Sequence, residues 1–353
     1  MFKNKIKIGC SILKSGSYKK ITNLFQNIYS VYGEPIEIRS SPLIIQVEPT
    51  TYCNLECIMC LSPALGRGRM NMSAKQFSNL LTRFEYTEKI SLVGVGEPLL
   101  NPELPEFIRL AKKRNIQIGI ATNGILLNGE LAKRLLDSGI DWINISIDGA
   151  NSETYKRIRG SDKFDTVIKN AENLQHLIAN YKNVESGIWF TIQKENVNEL
   201  PQMVSLIKSV GYRKLYSQTT HTWGNPDWAK KKGYVLNGNL TELFNSISIT
   251  EKLSRQYNID YFPLNVPNPP IEAFEGRYNG RRSCKWPWRS CYITVEGFVT
   301  PCCMNGCDPN VINFGSIYDL SFEQIWNSPA YQKFRKRLKS AAPPEICIGC
   351  PSF

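Results

Sequence analysis

Leu43-Ile44-Ile45-Gln46-Val47-Glu48-Pro49-Thr50-Thr51-Tyr52-Cys53-Asn54-Leu55-Glu56-Cys57-Ile58-Met59-Cys60 is the stretch from which the rest of the chain can be read. Its opening residues, with β-branched Ile44, Ile45 and Val47, suit a short strand over Leu43–Glu48. The cysteines that follow are spaced C-x3-C-x2-C. Three thiolates on one short loop can hold three irons of a 4Fe–4S cluster and leave the fourth iron open to bind and activate a ligand. A structural zinc site closes with four ligands, and no fourth Cys or His follows locally. The chain has only two histidines, His176 and His221.

Outward from this stretch, short apolar runs alternate with helical patterns. Strands are expected at Leu43–Glu48, Ile90–Val95, Gln117–Ala121, Trp142–Ile147, Ile188–Ile192 and Lys214–Gln218. Helices are expected at about 73–85, 103–114, 129–138, 164–180 and 198–209, with Ser73 as an N-cap and Gly211 as a stop. This alternation predicts an α/β fold, a parallel sheet with right-handed crossovers. Ligands of such folds gather at the C-terminal ends of the strands, where the cysteine loop would lie. Ahead of the first strand, Ile21, Leu24, Phe25 and Ile28 fall on one helix face, which is expected to pack on the main domain, with contact with a membrane surface or a partner as the lesser alternative. After the last strand, the prolines of Pro263–Pro270 read as an extended connector.

Bulk composition narrows the class. With 353 residues and 42% hydrophobic content, the chain can build one large domain or two smaller ones with a real core, and disorder is not the default. Eleven cysteines with no secretory signal and no apolar run of the ~18–20 residues that span a membrane point to metal ligation in a reducing cytoplasm. Only Cys10 stands apart from the two clusters. The formal charge of +12 suits an anionic substrate or an acidic electron donor such as a flavodoxin or ferredoxin; the basic residues are dispersed, so no specific nucleic acid is expected.

With Cys53, Cys57 and Cys60 placed after the first strand, residues 43–220 resemble the radical S-adenosylmethionine (SAM) enzymes. Met59 stands where the family has an aromatic residue. Val95-Gly96-Glu97-Pro98 resembles the motif that contacts the methionine amino group, with Val95 replacing a glycine. Thr122-Asn123-Gly124 and Ser146-Ile147-Asp148-Gly149 resemble the ribose- and carboxylate-side contacts. Arg157 and Arg159 are candidates for the SAM carboxylate, or equally for a surface salt bridge. The resemblance implies a partial (β/α)6 TIM-barrel core over 43–262, after a helical lead-in over 1–42. It implies SAM cleavage to a 5′-deoxyadenosyl radical that takes a hydrogen atom from a substrate.

The tail, 263–353, resembles the auxiliary-cluster domain called SPASM, or its shortened twitch form. Cys284, Cys302, Cys347 and Cys350 would hold one auxiliary 4Fe–4S cluster, with zinc as the alternative. A hairpin turning at Glu296-Gly297 and a short helix over Ser321–Trp326 are expected within it. Cys291, Cys303 and Cys307 are left over; Cys303 and Cys307 are candidate hydrogen-atom donors, as in the family's epimerases. The auxiliary cysteines resemble those of a cyclitol dehydrogenase. The expected substrate is therefore a small polar molecule such as a sugar or cyclitol derivative, oxidised or epimerised. Tyr216, Trp223 and Trp228 suit such a substrate, or packing. Radical modification of a ribosomally made peptide is the alternative, weighed down because ~40 residues ahead of the first strand are too few for the leader-binding domain of peptide-acting relatives. An iron–sulfur electron-transfer or carrier protein is the non-enzyme alternative.

Overall fold

The computed structural model describes residues 2–14, 16–220, 223, 226–233, 236, 240–264, 284–348 and 350. Most of the proline-rich connector lies outside them. The strands are β1 (Ile44–Val47), β2 (Lys89–Leu92), β3 (Gln117–Thr122), β4 (Trp142–Ser146), β5 (Glu185–Ile192), β6 (Lys214–Thr219), β7 (Asp260–Leu264), β8 (Tyr292–Ile293) and β9 (Val299–Thr300). They form one sheet in the order β7-β6-β5-β4-β3-β2-β1-β8-β9. The first seven run parallel, β8 pairs parallel with β1, and β9 returns antiparallel to β8.

The helices are α1 (Phe2–Lys14), α2 (Tyr18–Gly33), α3 (Ala74–Arg83), α4 (Leu104–Lys112), α5 (Gly129–Asp137), α6 (Ser152–Arg159), α7 (Phe164–Ile178), α8 (Leu200–Ser209), α9 (Pro226–Lys232), α10 (Leu240–Tyr257), α11 (Trp286–Arg289), α12 (Phe322–Trp326) and α13 (Pro329–Leu338). Alternation along the strands sets the core: Ile45, Val47, Ile90, Leu92, Ile118 and Ile120 are all fully buried. Phe77 of α3 stacks on Phe107 of α4 at 4.4 Å between ring centres. Burial of each such side chain contributes roughly 1.5–3 kcal/mol. Ser73 caps α3 through reciprocal bonds with Gln76, and Ser321 caps α12 with Gln324 in the same way. No described helix is long and apolar enough to cross a membrane.

Three features go beyond the sequence expectation. A seventh parallel strand, β7, follows α10. The tail hairpin adds to the barrel sheet through Gln46↔Tyr292 and Val47↔Ile293. The lead-in helix does not bury the face expected of it: Leu24 is buried, but Phe25 and Ile28 are 60% and 44% exposed. Its inward face is partly polar instead. Asn23 exchanges two hydrogen bonds with the backbone of Ser41, at 3.2 and 2.8 Å, and Ser30 meets Ser40 at 3.2 Å.

Candidate functional site

The cysteine loop leaves the C-terminal end of β1 and is held from three sides. From β2's end, Glu97 N–H donates to the Tyr52 carbonyl at 2.7 Å. From β3's end, Asn123 Nδ2 donates to Asn54 Oδ1 at 2.7 Å. From the end of α6, the Ile158 carbonyl accepts from Ile58 N–H at 3.0 Å. Gly96 makes the first contact possible: a Cβ there would lie 2.2 Å from the Thr50 carbonyl oxygen and 2.8 Å from that of Tyr52. Gly96→Ala must therefore shift backbone rather than a flexible side chain. It is expected to cost about 1–3 kcal/mol of stability and to lower iron retention. Urea unfolding together with iron analysis checks this; unchanged values in both would refute the crowding.

Burial pushes the Cys53 thiol up to about 11 and the Cys60 thiol up to about 12, and the neighbouring thiols add to the rise. Cys57 is likewise raised by burial, against the pull of Arg159. Arg159 Nη1 lies 3.8 Å from Cys57 Sγ, and its Nη2 pairs with Asp148 Oδ2 at 2.5 Å. Burial disfavours the Arg159 charge, but Asp148, Cys57 and Tyr155 outweigh it and raise its pKa further. Asp148 is fully buried, and its Oδ1 accepts from Thr191 N–H at 2.7 Å. It thus faces Arg159 and β5. Arg157 points outward, 52% exposed at its side chain, toward Glu153 and Thr154, in the surface-salt-bridge arrangement. One helical turn cannot turn both arginines inward, and α6 buries Arg159.

Glu97 is 3% exposed and accepts three bonds. Oε1 takes Leu99 N–H at 3.1 Å and Thr122 Oγ1 at 2.6 Å, and Oε2 takes Asn123 N–H at 2.7 Å. Burial raises its pKa above the usual carboxylate value despite these donors. Pro98 is buried at the start of a 3-10 turn, and Ser146 is half-buried at the end of β4. One residue here, Gln193, was not among the sequence candidates, and a second, Trp223, takes a position that the sequence did not specify. Gln193, fully buried just past β5, sets Nε2 3.7 Å from Met59 Sδ, and its Oε1 has no hydrogen-bond donor among the described residues. Trp223 donates from Nε1 to the Met59 carbonyl at 2.6 Å. Of the other aromatics, Tyr216 stacks between Trp189 and Phe262, and Lys232 lies over the Trp228 ring.

In the tail, Cys284, Cys302, Cys347 and Cys350 line one apolar cavity with Trp286 and Phe334. Cys291 is buried in the core, and burial raises its thiol pKa against the opposing pull of Arg335. Cys303 and Cys307 lie elsewhere, in a small cluster with Val95 and Tyr292. Between the halves, Arg67 binds two carboxylates: Glu48 at 2.5 Å and Glu296 at 2.6 Å. Among the described residues no three His, Cys, Asp or Glu side chains converge on one metal-ion position.

Residues 47–207 match the sequence model of the Radical SAM superfamily, and residues 284–351 match SPASM, an iron–sulfur cluster-binding domain. Mycofactocin maturase MftC of Mycolicibacterium smegmatis is 28% identical over 172 residues, 48% of this chain and 43% of that protein. The match therefore spans less than half the length of that relative. PqqA peptide cyclase of Gluconobacter oxydans is 24% identical over 88% of this chain and 83% of its own. Among solved structures, Streptococcus suis SuiB bound to precursor peptide SuiA superposes with a TM-score of 0.68, at 17% identity, over 95% of this chain and 74% of that one. These matches correct the expectation of a sugar- or cyclitol-like substrate, and of a small molecule rather than a peptide as partner. A maturase, a peptide cyclase and a protein solved with a precursor peptide stand where small-molecule enzymes were expected. The short lead-in, which weighed against a peptide, does not prevent the chain from sharing the fold of the peptide-bound protein. The chain belongs to the radical SAM superfamily and carries a C-terminal SPASM domain.

Proposed function

We propose that the chain is a radical SAM enzyme that modifies a ribosomally made peptide, with Cys53, Cys57 and Cys60 holding a 4Fe–4S cluster. The observation that carries the cluster reading is the cysteine loop, pinned by Glu97 and Asn123 at two strand ends and by Ile158 at the end of α6, with Gly96 allowing the close approach. The peptide reading rests on the relatives. When bound, the cluster and SAM supply a 5′-deoxyadenosyl radical that abstracts a hydrogen atom from the substrate.

The chain's own residues bind and orient. Glu97 Oε2 keeps one lone pair beyond the Asn123 bond, enough to accept from a ligand ammonium. Thr122 and Asn123 hold that carboxylate in place, and the unpaired Gln193 Oε1 offers a second buried acceptor. Ser146 offers a hydroxyl at the next strand end. Asp148 acts through Arg159, which sets a fixed positive charge beside the Cys57 thiolate. In the tail, Cys284, Cys302, Cys347 and Cys350 are the ligand set for an auxiliary 4Fe–4S cluster, supported by their shared cavity. Cys303 and Cys307 remain candidate hydrogen-atom donors.

The test is anaerobic reconstitution, reduction with dithionite, and incubation with SAM and a deuterated peptide encoded beside the gene. Deuterium is expected in the 5′-deoxyadenosine formed. No 5′-deoxyadenosine would sink the radical reading. Deuterium arriving from a labelled cyclitol, and none from the peptide, would sink the peptide reading.

A further inference from the structure

Helix α2 buries Leu24 but otherwise sets polar side chains inward and aromatic ones outward. Its inward face carries Asn23, Asn27 and Ser30, all under 8% exposed. Its outward face carries Tyr18, Phe25, Ile28, Tyr29 and Tyr32, exposed by 81, 60, 44, 67 and 79%. At about 100° per residue these five fall within an arc of roughly 100°, a single stripe about 20 Å long. Isolated exposed apolar residues need no explanation, but a contiguous aromatic stripe marks an interaction surface.

The charge around the stripe says what covers it. Residues 1–33 hold Lys3, Lys5, Lys7, Lys14, Lys19 and Lys20 and no Asp or Glu; the first acidic residue is Glu34. Lys20 pairs with Glu88, whereas Lys14 and Lys19 are exposed. A second copy of the chain would set two such lysine-rich segments against each other, which opposes self-association. An acidic peptide would satisfy the charge, but a single convex helix face gives it no groove. A planar anionic surface satisfies both charge and shape. Tyrosine favours the boundary between headgroups and acyl chains, and lysines near such a surface add about 1 kcal/mol each.

We propose that the outward face of α2 is a docking surface for an anionic lipid bilayer, on which the helix lies flat. The catalytic strand ends play no part in this contact.

The test uses the full chain, purified anaerobically with its iron and sulfide, and co-sedimentation with vesicles. Binding is expected to vesicles of phosphatidylglycerol and phosphatidylcholine in equal parts, to weaken as salt is raised, and to be slight on phosphatidylcholine alone. Tyr18→Ser/Phe25→Ser/Tyr29→Ser should lower the partition roughly tenfold or more, with iron content and thermal transition unchanged because all three side chains are exposed. Lys14→Glu/Lys19→Glu should lower it comparably on the anionic vesicles only. Absence of vesicle binding, or binding indifferent to both variants, overturns the proposal. So does a stripe-dependent dimer, or capture of a synthetic polyglutamate peptide, in a chain that ignores the vesicles.

Discussion

Arg159→Leu is expected to cost about 3–5 kcal/mol of folding stability and to weaken iron binding at the cysteine loop. The reason is what the arginine leaves behind. Asp148 is fully buried, and its Oδ2 faces Arg159 at 2.5 Å. Without the guanidinium, that carboxylate keeps the backbone N–H and the hydroxyl of Thr191 as donors and has no counter-charge. Cys57 loses the only cation recorded at its sulfur among the described residues, at 3.8 Å. A buried ion left without its partner is far costlier than a buried pair replaced as a whole. Asp148→Asn/Arg159→Leu should therefore recover much of the stability while iron binding at Cys57 stays weak. Urea unfolding of the metal-free chain measures the first effect, and iron titration the second. A single variant within about 1 kcal/mol of wild type would mean that solvent reaches Asp148.

Arg67→Met should be similarly costly, again about 3–5 kcal/mol, through a bridge between the two halves. Arg67 is 4% exposed at its side chain and joins Glu48, fully buried at the end of β1, to Glu296 in the turn of the tail hairpin. Glu48 also accepts from Val95 N–H at 3.3 Å and Val295 N–H at 3.1 Å. Those two donors soften the loss but do not supply a charge. Glu48→Gln/Arg67→Met should be more stable than Arg67→Met alone, since an amide needs no cation. The bridge also carries a pH dependence. Burial would raise the Glu296 pKa, but Arg67 and local donors outweigh it and hold it below its ordinary value of 4.5. The native pKa is depressed, so this stability is complete above pH 4.5 and is lost as pH falls through the lower native value. Wild type should show that acid loss, and Arg67→Met should show little of it. Equal acid sensitivity in the two proteins would contradict the assignment.

The residues that sequence reasoning found share a property: their signals are local. The β-branched runs of β1 through β6 show in the sequence because each is flanked by turn residues and a helical period. Ser73 and Ser321 announce α3 and α12 by capping chemistry alone. Strand β7 was hidden by Pro263 within it and by the prolines that follow. Helix α6 was overlooked although Asn151 caps its start and Gly160 ends it. That pair of caps was the signal that could have found it. Arg159 against Arg157, and Arg67 against any other arginine, cannot be separated by sequence, because burial of a charge depends on partners distant in the chain. Asp148 lies 11 positions before Arg159, and Glu296 lies 229 after Arg67. The Phe25 and Ile28 expectation failed for a related reason. Periodicity identifies an apolar face but does not say whether the protein itself covers it.

The pairing of β8 with β1 has a consequence for synthesis of the chain. Val47 waits for Ile293, which leaves the ribosome 246 residues later. At about 5–20 residues per second this interval is roughly ten to fifty seconds. Throughout it, one side of the first strand is an open ladder of unpaired backbone groups. Ile38, just ahead of that strand, waits longer still, for the two hydrogen bonds it shares with the Asn327 side chain. The nascent N-terminal half is thus a species with a sticky edge, which only the last part of the message can cover. Yield of intact protein should depend on how quickly translation reaches the tail.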